Sequence, residues 1–181
     1  MLVKVYNPVI IAAALCPIRH LPPRACAVPG EIVGIDLGTT SSAIAVCLGD
    51  EPSIVPDAEG HGTLPSIVEG SLVGRQCNSL DALSSTKRLI GRTFDDATQE
   101  PAARALFASS LVCLPNGGAG LRRGDVDTSP EDVAAQILTM LLDQCASACG
   151  VRAERAVIGV PAHFTDSQRE ATKAAARIAG L

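Results

Sequence analysis

The stretch V-G-I-D-L-G-T-T-S-S at residues 33–42 carries the strongest structural signal in this sequence. One apolar run ends at Asp36, a turn of Gly, Thr and Ser follows, and a second apolar run occupies residues 43–48. Two apolar runs joined by a short turn predict a β-hairpin. Neither run alternates with polar residues, so we expect both strands to be buried on both faces.

The turn of this hairpin also contains residue types that suit phosphate and metal binding. The sheet would hold the Asp36 carboxylate rigidly, and Gly38 lets the backbone approach a ligand closely. The amides and hydroxyls of Thr39 and Thr40 would form a nest for phosphate oxygens, with Asp36 holding a hydrated Mg²⁺. The same residues equally fit an ordinary turn, in which Asp, Gly and Thr serve only the backbone conformation.

The middle of the chain predicts short elements joined by polar loops. We expect brief strands at residues 52–56 and 66–68, a polar loop at residues 57–62 and a helix over residues 80–89. The Asn116-Gly117-Gly118 cluster predicts a hairpin turn, since it matches no phosphate-loop motif.

The last fifty residues predict a helix, a strand and a second helix. Ser129 as N-cap and Pro130 at the first helical position begin a helix that Gly150 ends. A buried strand follows at residues 156–160, and a capping box at residues 165–168 begins an Ala-rich helix over residues 166–179. The order of elements predicts an α/β layered domain with a mixed sheet.

Composition excludes several classes of protein. The formal charge is −4, from 15 Lys and Arg against 19 Asp and Glu, which argues against a nucleic-acid binder. The apolar content of 47% excludes a wholly disordered chain, and no apolar run is long enough to span a membrane. The seven cysteines have no metal-site or disulfide spacing, so we interpret them as small buried thiols in a reducing compartment. We expect no metal site among the cysteines and histidines.

Residues 1–30 differ from the rest of the chain and are left out of the fold prediction. They contain five prolines and no acidic residue, with an apolar run at residues 9–15 and a small-residue A-C-A triplet at residues 25–27. Three origins fit this leader or non-native extension: a signal peptide, an organellar presequence, or a start codon upstream of the natural beginning.

Two further stretches give the chain a family resemblance. K-R-L-I-G-R at residues 87–92 and V-P-A-H-F-T-D-S-Q-R-E-A-T-K-A-A-A-R-I-A-G-L at residues 160–181 follow the first motif in order. Together the three resemble the start of the nucleotide-binding domain of the DnaK-like seventy-kilodalton heat-shock chaperones. The resemblance covers roughly residues 31–181, and it implies an actin-like, ribonuclease-H-like ATPase lobe with an insertion subdomain at about residues 57–128.

The resemblance implies an ATP-dependent chaperone that binds ATP with Mg²⁺ and uses hydrolysis to capture and release peptides. It implies catalytic roles for Lys87 and Asp36, with Asp36 also holding Mg²⁺ through water. The implied nucleotide-binding residues are Gly38, Thr39, Thr40 and Ser41, and the implied allosteric relay is Pro161 and Arg169. The chain departs from the family pattern at Ser41, where many members have Asn, and at His163 and Thr165, where the family often has Tyr and Asn.

The implied partners are unfolded client polypeptides, a J-domain cochaperone and a nucleotide exchange factor, with no nucleic acid and no membrane. The second phosphate loop of the family is not found in these 181 residues. We therefore expect half a nucleotide cleft, weak or no ATP affinity, an inactive ATPase and an exposed apolar flank in this chain alone. Cytoplasmic localisation is expected, or organellar if residues 1–30 are a presequence.

Three alternatives remain open. The chain would be a non-catalytic remnant if no second phosphate loop follows it. A sugar kinase of the same superfamily is disfavoured by the Lys87 motif. The segments at residues 56–60 and 64–66 resemble the HscA-like branch, which serves iron–sulfur cluster assembly through a scaffold protein.

Overall fold

The computed structural model describes residues 4–6, 32–48, 51–150 and 153–181. The strands in chain order are β1 Lys4–Tyr6, β2 Ile32–Asp36, β3 Ser41–Leu48, β4 Glu51–Ile54, β5 Leu64–Pro65, β6 Ile67–Glu69, β7 Leu72–Val73, β8 Leu83–Ser84, β9 Leu111–Cys113, β10 Ala119–Arg123, β11 Val126–Thr128 and β12 Arg155–Gly159. The helices are α1 Phe94–Gln99, α2 Pro101–Phe107, α3 Pro130–Cys149 and α4 Asp166–Ile178.

A mixed sheet with the strand order β1-β12-β2-β3-β4 forms the centre of the fold, and β5 pairs with β3. β12 runs parallel to both β1 and β2, whereas β2, β3 and β4 are antiparallel. In the β2–β3 hairpin, Gly34 pairs with Ala45 and Asp36 pairs with Ala43. This confirms the predicted hairpin, the short third strand and the mixed sheet.

The prediction that the hairpin is buried on both faces is wrong. Val33 and Ile35 of β2 are buried, but Ile32 at the start of the strand is 41% exposed. On β3 the side chains of Ser42, Ile44 and Val46 are buried, and the alanines that alternate with them are only partly buried. The alternation is hidden in the sequence because the more open positions carry apolar or small residues rather than polar ones.

β1 lies inside the segment that was left out of the fold prediction. Lys4 pairs with Val157, and Tyr6 pairs with Gly159, so these residues extend the sheet beyond β12. The apolar run at residues 9–15 and the A-C-A triplet at residues 25–27 lie outside the described residues. The origin of the leader stays a prediction.

Two three-stranded sheets with the orders β7-β6-β8 and β11-β10-β9 occupy much of residues 57–128. The predicted hairpin turn is confirmed: Gly117 has a φ of +79°, and the Asn116 Oδ1 accepts a hydrogen bond from the Gly118 amide at 2.9 Å. The helix predicted over residues 80–89 is wrong. Its residues form β8 and a 3₁₀ turn at Thr86–Arg88, because Ser85 at a φ of +58° interrupts any helix there.

α3 and α4 have the ends that the sequence predicts. The Ser129 side chain caps α3 by accepting from the Asp132 amide at 3.0 Å, and Gly150 ends it at a φ of +80°. Thr165 and Gln168 form the capping box of α4. The apolar stripe of α3, with Cys145 and Cys149 on it, packs into the core between β3 and α4. Among the described helices, none has the length and apolar content to cross a membrane.

Candidate functional site

The candidate site lies at the carboxyl ends of β2 and β12. These two strands are parallel neighbours, with Asp36 paired to Gly159, so both chains leave the sheet at the same edge. The motif that begins at Asp36 and the segment that begins at Pro161 are therefore brought together. Ligand sites in open α/β sheets commonly form at such an edge.

A tight loop follows β2, and Gly38 is the residue that permits it. A Cβ atom at position 38 would lie 2.0 Å from the Ser41 carbonyl oxygen, far inside any real contact. The Gly38 amide donates to the Ser42 Oγ at 3.1 Å, so the loop folds back onto the start of β3. The loop therefore presents Thr39 and Thr40 at the sheet edge, with Thr40 and Ser41 exposed.

Ser66, which lies between β5 and β6, supports this loop. The Ser42 and Ser66 hydroxyls are both buried and lie 2.9 Å apart, and the Ser66 amide donates to the Thr40 carbonyl at 2.8 Å. Buried hydroxyls that satisfy each other fix a backbone more firmly than unpaired ones. The loop is therefore preorganised by Ser66, a residue far along the chain.

Lys87 reaches the same loop from the 3₁₀ turn at Thr86–Arg88. Its Nζ donates a hydrogen bond to the Leu37 carbonyl oxygen and lies 5.5 Å from the centroid of the Phe164 ring. Burial lowers the pKa of Lys87 below its ordinary value of 10.5, and the attraction of the Asp36 carboxylate opposes part of this shift. A partly desolvated ammonium group thus lies at the sheet edge, within the electrostatic influence of the Asp36 carboxylate.

Gly91 holds the Lys87 turn against the start of α4. A Cβ atom at position 91 would lie 2.6 Å from the Cα of Gln168 and 2.7 Å from the Ser167 carbonyl oxygen. The Gly91 amide also donates to the Glu131 Oε1 in the first turn of α3, at 3.2 Å. The glycine in K-R-L-I-G-R is therefore required by close backbone packing as well as by its φ of +65°.

Pro161 and Arg169 both form hydrogen bonds within the segment around Phe164. The Phe164 amide donates to the Pro161 carbonyl at 3.1 Å, and the Arg169 Nη2 donates to the Ala162 carbonyl at 3.2 Å. His163 is exposed, and its ring meets Phe164 edge-on at 6.1 Å between centroids. The structure therefore brings Lys87, Phe164 and the turn after Pro161 into one connected group.

The site is shallow. Its cavity has a volume of about 10 Å³ and is lined by the loop after β2, by Thr86 and Lys87, and by Ala134 and Ile137 of α3. That is room for about one water molecule. The arrangement brings an ammonium group, loop amides and hydroxyls and a carboxylate to one edge of the sheet, a set of groups that suits phosphate oxygens and a hydrated magnesium ion.

Three residues of the site were not predicted from the sequence, namely Ser42, Ser66 and Phe164. A signal existed for Ser42, which shares the buried face of β3 with Ile44 and Val46 and is a polar residue at a core position. Ser66 and Phe164 act through contacts between distant parts of the chain, which spacing along the sequence does not reveal.

The family model described as Hsp70 protein matches residues 32–181. The chain belongs to the Hsp70 family. This confirms the resemblance at the level of the family and fits a mixed α/β fold that is part of an Hsp70 nucleotide-binding, actin-like domain. Hsp70 proteins are ATP-dependent chaperones that bind ATP with Mg²⁺ and act on client polypeptides with cochaperones.

Proposed function

We propose that this chain supplies the phosphate- and magnesium-facing part of the ATPase site of an Hsp70 chaperone that assists protein folding. The observation that carries the proposal is the contact of the Lys87 ammonium group with the Leu37 carbonyl, next to the Asp36 carboxylate. A lysine of one motif bonds the backbone directly after the aspartate of another, at one glycine-dependent loop where charge is needed for phosphoryl transfer.

The residues of this loop would divide the binding of Mg·ATP between them. Asp36 would hold Mg²⁺ through water, and the backbone and hydroxyls at Gly38, Thr39, Thr40 and Ser41 would bind phosphate oxygens. Bound ATP would supply the transferable phosphoryl group, and Mg²⁺ would neutralise its charge. The fit rests on Gly38, because a Cβ there would lie 2.0 Å from the Ser41 carbonyl oxygen, so only glycine permits the tight loop that presents these groups.

Lys87 would act as the catalytic cation. Its Nζ already points at the loop, and burial beside Phe164 removes part of the water that would otherwise weaken its field. The Leu37 carbonyl holds the ammonium group in place until a phosphate oxygen replaces that carbonyl as acceptor. Asp36 favours the charged form of the amine, which is the form that stabilises negative charge on the reacting oxygens.

Pro161 and Arg169 would relay the nucleotide state toward the client-binding part of the chaperone. The support is the connected path from Lys87 to the Phe164 ring, then to the Pro161 carbonyl and the Ala162 carbonyl held by Arg169. A change in the position of Lys87 would therefore shift the turn after β12. Residues 57–128, with their two small sheets, would form an insertion beside this path.

Partners and localisation follow from the same proposal. A J-domain cochaperone would stimulate hydrolysis and an exchange factor would release ADP, and the chaperone would work in the reducing cytoplasm. The Cys145 and Cys149 sulfurs, buried and 3.9 Å apart, are well beyond the roughly 2 Å of a disulfide bond. Within the family, the HscA-like branch is our finer proposal, and a pull-down that recovers an iron–sulfur scaffold rather than many unfolded clients would support it.

Mg·ATP titration of the chain, followed by NMR of backbone amides, tests the site. The cavity measures only about 10 Å³, so we expect a Kd no tighter than roughly millimolar. The largest shifts should fall on the amides of Gly38, Thr39 and Thr40. Lys87→Met should remove them, and the matched control Lys173→Met, at a surface lysine bonded to Glu170 at 2.6 Å, should keep them. Equal loss in both variants would count against the proposed role of Lys87, and micromolar affinity would overturn the weak-binding expectation.

The mass of the native protein separates the chaperone from the alternative of a non-catalytic remnant. Intact mass spectrometry after capture with an antibody to residues 131–149 would provide it. A product several times longer that hydrolyses ATP, and loses hydrolysis on Lys87→Met, would support the enzyme. A native product of 181 residues that does not hydrolyse ATP would support the remnant.

A further inference from the structure

We propose that a groove beside α3, away from the candidate ATPase site, binds a cationic amphipathic segment of a partner polypeptide. The groove has a volume of about 770 Å³ and is bounded by α3 on one side and by residues 56–60 and 75–76 on the other. None of its lining residues lines the cavity at Lys87, so the two sites are separate. We refer to it below as the α3 groove.

The floor of the α3 groove is apolar. Leu64 and Val73 form its base, and Met140 and Ala148 of α3 form one flank. Met140 and Ala148 are eight residues apart on the helix, which corresponds to about 12 Å along its axis. An apolar groove of this length and volume matches the way amphipathic helices dock, with side chains one or two turns apart as anchors.

The rim of the α3 groove is acidic. Asp57 and Glu59 line one edge and Asp143 lines the other, while Arg75 is the basic residue of the lining and lies 3.3 Å from Asp57. Burial raises the pKa of Asp57, but hydrogen bonds from His61 and Glu59 outweigh it and lower the pKa overall, so the carboxylate is charged at neutral pH. A segment with Lys or Arg beside its apolar anchors would therefore complement the rim.

The walls of the α3 groove are held in place before any partner binds. The Asp57 Oδ1 accepts hydrogen bonds from the Glu59 amide at 3.0 Å and the His61 amide at 2.8 Å, which closes the loop on itself. The Gln144 Nε2 donates to the Val55 carbonyl at 2.6 Å and ties α3 to the start of that loop. A preformed groove loses little conformational entropy on binding.

Fluorescence anisotropy with a synthetic peptide tests the proposal on the full chain. The probe is a labelled fourteen-residue peptide of Lys and Leu with its leucines at helical spacing. Two controls are a peptide with Glu in place of Lys and a scrambled peptide of the same composition. We expect at least tenfold weaker binding of both controls. Equal binding of the scrambled peptide would show attraction by net charge alone and would overturn the proposal.

Two protein variants locate the site. Glu59→Lys combined with Asp143→Lys should weaken probe binding at least tenfold. Asp125→Lys combined with Glu154→Lys makes the same change in net charge at exposed positions outside the groove, and it should change the Kd less than twofold. The milder Glu59→Gln should weaken binding about threefold if the double variant fails to fold. Equal effects of the two double variants, or no binding of the probe by the unchanged chain, would overturn the proposal.

Discussion

The Nζ of Lys87 lies 5.5 Å from the centre of the Phe164 ring, and this contact joins two motifs that are far apart in the sequence. Lys87 belongs to the K-R-L-I-G-R stretch, and Phe164 lies in the segment that follows the end of β12 at Gly159. An ammonium group near an aromatic face is attracted by the ring, most strongly where water is partly excluded. The same lysine donates to the Leu37 carbonyl, so both contacts fix the position of its charge.

The titration of Lys87 can be followed directly, because the chain contains only the three lysines Lys4, Lys87 and Lys173. We expect the Cε signal of Lys87 in ¹³C-labelled protein to titrate below 10.5, since burial lowers its pKa. Phe164→Leu should lower it further, because the ring no longer stabilises the cation. The signal is assigned by its loss in Lys87→Met. A higher pKa in Phe164→Leu than in the unchanged protein would contradict the cation–π contact.

Lys87 should also make stability depend on pH in the alkaline range. Its pKa is lower in the folded chain than in the unfolded chain, so below the folded pKa the native state carries the cost of a desolvated cation. Between the folded pKa and 10.5 the unfolded state binds more protons, and the contribution of Lys87 to stability rises with pH. Urea midpoints of the unchanged protein and of Lys87→Met, measured from pH 8 to pH 10.5, test this. The urea midpoint of the unchanged protein should rise relative to that of Lys87→Met as pH rises. A relative fall would mean that folding raises the pKa of Lys87 instead of lowering it.

Elements with complete local signals were predictable from sequence. The helix from Pro130 to Cys149 has a serine cap, a proline at its first position and a glycine after its end, and the structure has all three in those roles. The Asn116 turn is equally local, because its side chain and the glycine beside it determine the backbone. These interactions involve residues within a few positions of each other, so a single sequence contains the necessary information.

Residues whose environment depends on distant contacts were not predictable. The segment at residues 80–89 has apolar residues near helical spacing, yet Leu83 is buried in a small sheet, Thr86 is buried in a 3₁₀ turn and Leu89 is buried directly after that turn. The Ser42–Ser66 pair depends on β5 folding against β3. Tertiary packing therefore determines the structure at these residues, because their local propensity does not specify it.

The capping box of α4 makes a testable contribution to stability. The Thr165 Oγ1 accepts from the Gln168 amide at 3.3 Å, and the Gln168 Oε1 accepts from the Thr165 amide at 3.1 Å. Thr165→Ala should lower the free energy of unfolding by about 1 kcal/mol, because an amide of the first turn loses its acceptor. Urea denaturation followed by circular dichroism measures it. Thr165→Ser keeps the hydroxyl and should stay close to the unchanged protein, and equal losses in the two variants would point to the methyl group instead.

Gly91, the glycine of the K-R-L-I-G-R stretch, should be highly sensitive to substitution. Its φ is +65°, and an added Cβ would meet the backbone of Gln168 at 2.6 Å, where no flexible side chain can move aside. Gly91→Ala therefore combines backbone strain with overpacking and should lower the free energy of unfolding by about 3 kcal/mol. It should also displace the Lys87 turn, which can be followed as a changed titration of the Lys87 Cε signal.

Gly117→Ala is the matched control for Gly91→Ala. Gly117 has a similar φ of +79°, but an added Cβ there would have nothing within 4 Å. This control should cost only the backbone strain of about 1 kcal/mol and leave the Lys87 signal unchanged. If the two variants lose the same stability, the contact with α4 does not constrain Gly91. If Gly91→Ala alone is strongly destabilised, the glycine is needed because the Lys87 turn packs directly on the first turn of α4.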